Sequence, residues 1–379
     1  MSSVIPYGRQ YIDSEDIRAV SRALKQEKLT TGPLVEKFEK KISSFTDAKY
    51  TIACNSGTSA LYLAFQSIGL SKNDIVIMPS ITFVSSYTIS KIFRAKVYLA
   101  DVDPQTGQMT PNDVINCCKK FKIKKFRLLV LMYNGGYPLN ADKFKKLKRK
   151  YNCTIIEDAC HALGASYKSK NKTHKIGSCK HSDISTFSFH PIKSITTCEG
   201  GAITTNSKKI FDKLITLRSI GMKRTKKHWV YNVNELGLNF RLSDIQCALG
   251  ISQLNKLKVF INKRKVISKL YDRNFKADKN ISSVEYDKNI NSSFHLYFIK
   301  LNKFNLKKKD KLLKYLLKKK IYFQYHYIPI YKFKIFKGKY IGKNAENFYN
   351  NTLSIPIYYS LSKSDQNFII RSLKSYFTK

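Results

Sequence analysis

The sequence lacks any apolar run of about 18 or more residues, the length that a membrane-spanning helix needs. Its N-terminus lacks the charged and then apolar pattern of a secretory signal. Its 8 cysteines are scattered, and no two of them form a Cys-x-x-Cys pair. These absences predict a cytoplasmic protein with reduced thiols, and they predict no membrane segment, no disulfide framework and no metal site.

Acidic residues are scarce, because 26 Asp and Glu stand against 69 Lys and Arg, for a formal net charge of +43. Nucleic-acid-binding proteins share such an excess, but they concentrate it on one element with interleaved aromatic residues. Here lysines occur along the whole chain, and the densest runs, 143–150 and 307–320, are typical of solvated helix faces. Both runs contain apolar residues that we expect to face inward: Phe144, Leu147, Leu312, Leu313, Leu316 and Leu317. We therefore expect no nucleic-acid partner, although moderate steering of an anionic substrate stays open.

The first predicted strand-to-helix turn is neither a Gly-x-Gly-x-x-Gly run nor a Walker loop, so it predicts neither a dinucleotide nor ATP. Residues 50–54 are typical of a short strand, and the run Asn-Ser-Gly-Thr-Ser-Ala-Leu at 55–61 leads from it into a helix. Free N–H groups and hydroxyls at such a helix N-terminus suit a phosphate. The alternative is an ordinary helix that Ser56 or Thr58 caps.

Lys193 lies in an unusual place for a residue type that normally occupies mobile polar surfaces. It follows the strand-like stretch 184–189 and Pro191, and it precedes the small-residue pair Gly200–Gly201. Rigid backbone can hold such an amine in a partly desolvated site, where it loses its proton and attacks a carbonyl carbon. Taken alone, Lys193 is also compatible with an ordinary solvated surface lysine.

Another apolar strand, at 154–156, ends in the carboxylates Glu157 and Asp158 and continues into small residues and His161. Open α/β sheets carry their ligand groups at the carboxyl ends of strands. A carboxylate there can keep a heterocyclic nitrogen protonated, because a nearby negative charge raises the pKa of that nitrogen. The alternative is that Asp158 caps a helix while Glu157 is solvated.

These three segments together predict one cofactor site. They supply a phosphate cradle, a carboxylate for a pyridinium nitrogen and an amine for an aldehyde. Those groups match the three functional parts of pyridoxal 5′-phosphate, whose ring acts as an electron sink. We therefore predict an enzyme that uses this cofactor.

The chain also resembles a known family, the DegT/DnrJ/EryC1/StrS aminotransferases, which have fold type I and act on nucleotide-linked keto-sugars. The resemblance covers almost the whole length and rests on the runs 5–8, 29–33, 55–61, 79–84, 157–165, 187–201, 235–246, 326–329 and 353–356. The run Phe-His-Pro-Ile-Lys-Ser-Ile-Thr-Thr-Cys-Glu-Gly-Gly at 189–201 is most similar to the C4 aminotransferases of pseudaminic acid synthesis. The resemblance implies a UDP-linked 4-keto-6-deoxy-N-acetylhexosamine and L-glutamate as substrates.

The resemblance further implies roles around the cofactor ring. Lys193 bonds to the cofactor aldehyde and then carries protons, and Asp158 pairs with the ring nitrogen. His161 faces the phenolic oxygen of the ring, unless it is a histidine satisfied inside a helix. Phe83 stacks on the ring, unless it is a core residue.

Other residues are implied at the phosphate and the substrate. Gly57, Thr58 and Ser188 hold the phosphate. Asn239 reaches the phosphate of the neighbouring subunit, so the resemblance implies a homodimer with shared active sites. Arg241 contacts an anionic group. Two residues of an aromatic strand either contact the sugar or only pack: His326 and Tyr327.

Several alternatives to this function stay open. The first keeps the enzyme class but aminates C4 or C3 of another nucleotide-linked keto-sugar, as in bacillosamine or perosamine synthesis. The second is a dehydrating relative or a catalytically silent relative, against which the intact Lys193 and Asp158 argue. The third is the basic nucleic-acid-binding protein considered above.

The organisation follows from alternating strand and helix patterns, which predict a large α/β domain with a mainly parallel, seven-stranded sheet. The seven predicted strands are 50–54, 75–79, 96–100, 127–132, 153–157, 184–189 and 201–205. We place this cofactor-binding domain at 1–255 and a smaller α+β domain at 256–379. The helices 243–257 and 259–275 flank the boundary, and the smaller domain has strands near 294–301 and 321–326. The long mixed loop 219–234 is a candidate functional segment.

Overall fold

The computed structural model describes residues 4–225, 227, 229–302 and 304–378. Two residues of the predicted loop 219–234, Lys226 and His228, lie outside the described residues. The α-helices of the described part are Ser14–Leu24 (α1), Pro33–Thr46 (α2), Gly57–Ser67 (α3), Ser85–Ile92 (α4), Pro111–Lys120 (α5), Lys145–Tyr151 (α6), Lys208–Arg218 (α7), Asp244–Phe275 (α8), Leu306–Lys318 (α9), Lys343–Asn351 (α10) and Lys363–Phe377 (α11).

Strands account for most of the remaining regular structure. The strands of the first part are Tyr50–Cys54 (β1), Ile75–Pro79 (β2), Lys96–Ala100 (β3), Leu128–Met132 (β4), Thr154–Asp158 (β5), Ser166–Ser169 (β6), Lys172–Lys175 (β7), Ile184–Ser188 (β8) and Gly201–Thr205 (β9). Those that follow are Met222–Arg224 (β10), Tyr231–Val233 (β11), Ile281–Ser283 (β12), Ile290–Asn291 (β13), Tyr297–Leu301 (β14), Lys339–Tyr340 (β15) and Thr352–Ile355 (β16). Short 3₁₀ helices cover Asn134–Gly136, Ala141–Phe144 and Ile330–Lys332.

The central sheet has the strand order β1-β9-β8-β5-β4-β2-β3-β15. Strand β9 is antiparallel to both of its neighbours, whereas the other pairs are parallel. The predicted mainly parallel sheet of seven strands is therefore confirmed. An eighth strand, the two-residue β15 from the C-terminal part of the chain, lies against β3 and was not predicted.

Helices cover both faces of this sheet, which explains why its strands are largely buried. All five residues of β4 are buried. One face packs against α2, α5 and α8 through side chains such as Phe38 and Leu257. The other face packs against α3, α4 and α7 through side chains such as Leu63 and Leu214. Polar groups of the sheet can therefore meet a ligand only at its edges.

A second core holds the C-terminal elements together. The sheet β12-β14-β16 packs against α9, α11 and the C-terminal half of α8 around Tyr271, Ile299 and Leu373. The predicted strand at 294–301 is present as β14. The predicted strand at 321–326 is wrong, because only Ile321 and Gln324 form isolated bridges. Residues 324–328 of this segment line a cavity instead of pairing along a neighbouring strand.

The predicted helices 243–257 and 259–275 form one uninterrupted helix, α8. Ser243 begins it with a capping box, in which its hydroxyl accepts from the Gln246 N–H and the Gln246 side chain accepts in return. Neither proline nor glycine occurs near residue 258, so nothing in the sequence ends the helix there. The domain boundary that we placed at 255/256 falls inside α8 and stays a prediction.

The lysine-rich runs form helix faces, as expected. Five of the six apolar residues predicted to face inward are buried: Phe144, Leu147, Leu312, Leu313 and Leu316. The prediction for Leu317 is wrong, since its side chain is 46% exposed. It follows Leu316 directly, and a step of one residue turns a side chain by about 100° around the helix axis.

None of the helices in the described ranges has the length and apolar character that crossing a bilayer demands. All eight cysteines are unpaired. Within the same ranges, no cluster of three His, Cys, Asp or Glu side chains is arranged to bind a metal ion.

One lysine of α9 is buried in the C-terminal core. The Lys309 ammonium donates to the Tyr349 carbonyl oxygen and lies 4.2 Å from the ring centroid of Tyr325. Burial lowers its pKa to about 7. Between that value and the ordinary lysine pKa of about 10.4, the unfolded chain keeps a proton that the folded chain has released, so stability rises with pH.

We therefore expect Lys309→Met to stabilise the fold most, relative to wild type, at low pH, where the wild-type chain buries a charged ammonium group. Its free energy of unfolding relative to wild type should fall by about 2 kcal/mol between pH 6 and pH 9. Denaturant unfolding at both pH values measures this difference. The exposed Lys311→Met on the same helix is the control. An equal Lys309→Met effect at both pH values contradicts the expectation.

Candidate active site

A cavity of about 530 Å³ opens at the carboxyl edge of the parallel strands. Its walls come from the segments that follow β1, β2, β5 and β8, and from residues 324–328 of the C-terminal part. Segments far apart in the sequence meet here because parallel strands end at the same edge of a sheet. The predicted site residues that line it are Gly57, Thr58, Phe83, His161, Ser188, Lys193, His326 and Tyr327.

Lys193 follows β8 in a tight turn, in which its N–H donates to the His190 carbonyl oxygen at 2.9 Å. The turn is fixed from behind by the buried Phe189 and Ile195. Burial lowers the pKa of the Lys193 amine, while the negative charge of Asp158 opposes that shift. A larger fraction of the amine is therefore unprotonated and nucleophilic than on a surface lysine.

Asp158 is the last residue of β5 and is buried directly behind the cavity wall that Cys160 and His161 form. Its carboxylate accepts a hydrogen bond from the Cys160 N–H at 3.3 Å. Burial raises the pKa of Asp158, and the hydrogen bonds from Cys160 and the charge of Lys193 oppose that shift. An ionised carboxylate at this depth needs a cationic partner, such as a protonated ring nitrogen.

Helix α3 begins at the cavity with Gly57, and its first N–H groups precede the intrahelical hydrogen bonds. Ser56 is the cap, since its hydroxyl accepts from the Ser59 N–H at 3.0 Å. Thr58 is therefore not the cap, and its exposed hydroxyl lies 3.1 Å from that of Ser85. A Cβ on Gly57 would come within 2.7 Å of the Ser188 Cβ, so this close approach requires glycine.

His161 lies in a turn after β5, not in a helix, and its ring is buried. Its Nδ1 accepts from the Gly135 N–H at 3.2 Å, and its Nε2 is 2.9 Å from the Tyr327 hydroxyl. Phe83 is 49% exposed, which excludes a core role, and its ring centroid lies 5.7 Å from that of Tyr327. The two rings therefore form one aromatic wall of the cavity.

His326 is buried beside Tyr327 and has protein partners. Its Nδ1 is 2.9 Å from the Ser354 hydroxyl, and its carbonyl oxygen accepts from the Asn134 side chain at 2.8 Å. Burial, together with the charge of Lys193, lowers its pKa to about 3. Its imidazole is therefore neutral near pH 7.

Besides Asp158, two predicted residues do not line the cavity of their own chain. Asn239 is exposed, and Arg241 follows it after one residue. Their neighbours Leu236 and Leu238 are exposed apolar residues, at 91% and 52%. Strand β11 of the adjacent hairpin is exposed as well.

Several cavity residues were not assigned a role from the sequence: Tyr7, Thr82, Ser85, Cys160, His190 and Glu199. Tyr7, Thr82, Cys160, His190 and Glu199 lie inside runs that carry the family resemblance, which was the available signal. Composition and periodicity contain no such signal, because isolated polar residues in turns look alike in sequence. Gly135 was missed for the same reason, although it fixes the ring of His161.

Comparisons with known proteins agree with this geometry. The family model described as the DegT/DnrJ/EryC1/StrS aminotransferase family matches residues 10–374. A UDP-4-amino-4,6-dideoxy-N-acetyl-β-L-altrosamine transaminase of Campylobacter jejuni subsp. jejuni serotype O:23/36 (strain 81-176) is 38% identical over 99% of this chain and 98% of that protein.

Solved structures share the fold. Helicobacter pylori PseC, an aminotransferase involved in the biosynthesis of pseudoaminic acid, superimposes with a TM-score of 0.91 and 30% identity over 100% of both chains. The pyridoxal phosphate form of Spr1654 from Streptococcus pneumoniae has a TM-score of 0.87 at 24% identity and covers 98% of both chains, which shows the fold alone. The chain therefore belongs to the DegT/DnrJ/EryC1/StrS aminotransferase family.

Proposed function

We propose that this aminotransferase uses pyridoxal 5′-phosphate to move the amino group of L-glutamate onto C4 of a UDP-linked 4-keto-6-deoxy-N-acetylhexosamine. The product is UDP-4-amino-4,6-dideoxy-N-acetyl-β-L-altrosamine, a precursor in pseudaminic acid synthesis. The observation that carries the proposal is a half-buried lysine amine of lowered pKa that faces a buried carboxylate at the sheet edge. The names of relatives at 38% and 36% identity support the choice of sugar.

The residues present fit the proposed cofactor. A phosphate suits the N-terminus of α3, where Gly57, Thr58 and Ser188 meet at the cavity and Gly57 lets the helix start approach Ser188 closely. A protonated ring nitrogen suits Asp158, which otherwise has only Lys193 as a nearby cation among the charges that shift its pKa. An aldehyde suits Lys193. When bound, pyridoxal phosphate supplies an electron sink for the amino donor.

Each of these residues has a definite task. Lys193 serves as the covalent attachment point at rest, and its Nζ then takes and returns the proton in both half-reactions. Asp158 keeps its negative charge toward the ring nitrogen. The aromatic wall of Phe83 and Tyr327 excludes water from one side of the cavity. We expect the chemistry to occur in the cytoplasm, as the cysteine usage predicts.

A homodimer with shared active sites is part of the proposal. Asn239 and Arg241 do not line the cavity of their own chain, and the exposed apolar residues Leu236 and Leu238 precede them. Such a patch is typical of a surface that another chain covers. We propose that Asn239 reaches the phosphate in the partner's cavity and that Arg241 contacts an anionic group there. His326 and Tyr327 remain the proposed contacts of the sugar.

Lys193→Ala should lower turnover by at least about 10³-fold, because it removes both the nucleophile and the proton carrier. Its far-ultraviolet circular dichroism should match wild type. The exposed Lys209→Ala is the control. In the wild type, borohydride should abolish the visible cofactor band and add mass to the peptide that contains Lys193. Near wild-type transamination by Lys193→Ala would falsify the assignment.

The sugar is tested with the 4-keto product of a UDP-GlcNAc dehydratase and L-glutamate. We expect 2-oxoglutarate and a UDP-linked 4-amino sugar whose NMR couplings have the β-L-altro pattern. A C3 amine or a D-configured C4 amine would assign the chain to another nucleotide-sugar reaction of the same family. Lys193→Ala enzyme, incubated in parallel, corrects for non-enzymatic amination.

Mixed dimers test the shared site. Lys193→Ala and Asn239→Ala chains, each inactive or weak at limiting cofactor, should together form heterodimers with one intact site. That site has Lys193 from one chain and Asn239 from the other, so about half of the wild-type activity per dimer should return. If confirmed heterodimers show only the residual activity of the two homodimers, Asn239 acts within its own chain or not at all.

A further inference from the structure

The cavity contains a chain of hydrogen bonds whose direction can be worked out from one backbone group. We infer that the Tyr327 hydroxyl donates a hydrogen bond to an oxygen of the bound ligand beside Lys193, and that His161 is the positioning residue that directs it. The inference rests on the proposed function, because that function supplies the ligand.

The direction follows from the donors. The Gly135 N–H can only donate, so His161 Nδ1, at 3.2 Å, must accept and carries no proton. In a neutral imidazole the proton then lies on Nε2. His161 Nε2–H therefore donates to the Tyr327 oxygen at 2.9 Å. A hydroxyl that accepts this bond still has its own proton, which it can give to another acceptor.

The environment keeps His161 neutral. Burial lowers its pKa well below the ordinary value, and the positive charge of Lys193 acts in the same direction. A protonated ring would also carry a hydrogen on Nδ1, which would point at the Gly135 N–H. The accepting geometry and the charge distribution thus favour the same tautomer.

The fold holds both ends of this series of hydrogen bonds in place. Gly135 has φ of 72°, and a Cβ there would come within 2.6 Å of the Phe298 ring, so the turn requires glycine. The neighbouring Asn134 donates through Nδ2 to the His326 carbonyl oxygen at 2.8 Å. One short turn therefore positions the ring of His161 and the backbone next to Tyr327.

The hydroxyl hydrogen of Tyr327 is available to an acceptor inside the cavity. The hydroxyl makes no further hydrogen bond to a residue in the described ranges, and Tyr327 and Lys193 line the same cavity. The acceptor is an oxygen that carries full or partial negative charge. The phenolic oxygen of the cofactor and the keto oxygen of the sugar share this chemistry.

The first test measures His161 without any cofactor. Long-range ¹H–¹⁵N spectra of the cofactor-free chain with ¹⁵N-labelled histidine report which ring nitrogen has the proton, and His161→Gln identifies the signal among the 7 histidines. We expect an unprotonated Nδ1 and a protonated Nε2 from pH 6 to 8. A proton on Nδ1, in either a neutral or a charged ring, overturns the inference.

The second test uses Tyr327→Phe, which keeps the ring and removes the hydroxyl, with the exposed Tyr322→Phe as control. Loss of one hydrogen bond to a charged oxygen should lower the affected affinity or half-reaction rate about 10- to 100-fold. A weaker pyridoxal phosphate affinity with slower reactions of both glutamate and sugar assigns the cofactor oxygen. Normal affinity with a slower sugar half-reaction assigns the sugar oxygen. Unchanged affinity and unchanged half-reactions overturn the inference.

Variants of His161 distinguish its hydrogen bonds to Gly135 and Tyr327 from a role in packing alone. His161→Gln retains an oxygen that accepts from Gly135 and an amide that donates to Tyr327, so it should stay within about 10-fold of wild type. His161→Leu fills the space without either bond and should match Tyr327→Phe. Equal rates in the Gln and Leu variants refute the positioning role. A wild-type chain that does not bind pyridoxal phosphate refutes the proposed function instead, whatever tautomer His161 adopts.

Discussion

The structure depends on one constraint, which is that helices cover both faces of the central sheet. A covered parallel sheet has apolar side chains on both faces, so polar groups that serve a ligand must lie where the strands end. Strands β1, β5 and β8 end at the same edge; Asp158 is the last residue of β5, and Gly57 and Lys193 follow β1 and β8. A site assembled from three distant segments is thus a direct consequence of how the sheet is buried.

Desolvation then determines the chemistry of the groups at this edge. Burial alone shifts the pKa of Lys193 down and that of Asp158 up, so each group moves toward its neutral form, while their opposite charges counteract both shifts. A cationic ring between them would relieve the burial cost of the carboxylate. The same burial keeps His161 neutral, and in that form its two ring nitrogens have different roles.

The sequence was sufficient for features that depend on local patterns. The strands of the central sheet have apolar runs of ordinary length, and the predicted residues Lys193, His161 and Gly57 meet in one cavity. The sequence was insufficient for features that depend on contacts between residues far apart along the chain. Nothing local reveals that Gly135 donates to His161, that residues 339–340 join β3, or that residues 324–328 line a cavity where a strand was predicted. Whether Asn239 serves another chain likewise depends on a surface and not on a motif.

Helix α8 has a consequence for how this molecule can move. Its 32 residues run without interruption from the core beside the central sheet into the C-terminal core. Hinges normally lie in loops or at element ends, and a swing about residue 255 would break several consecutive helical hydrogen bonds. The two cores are thus joined by one continuous helix, which disfavours a closure of one core against the other about residue 255.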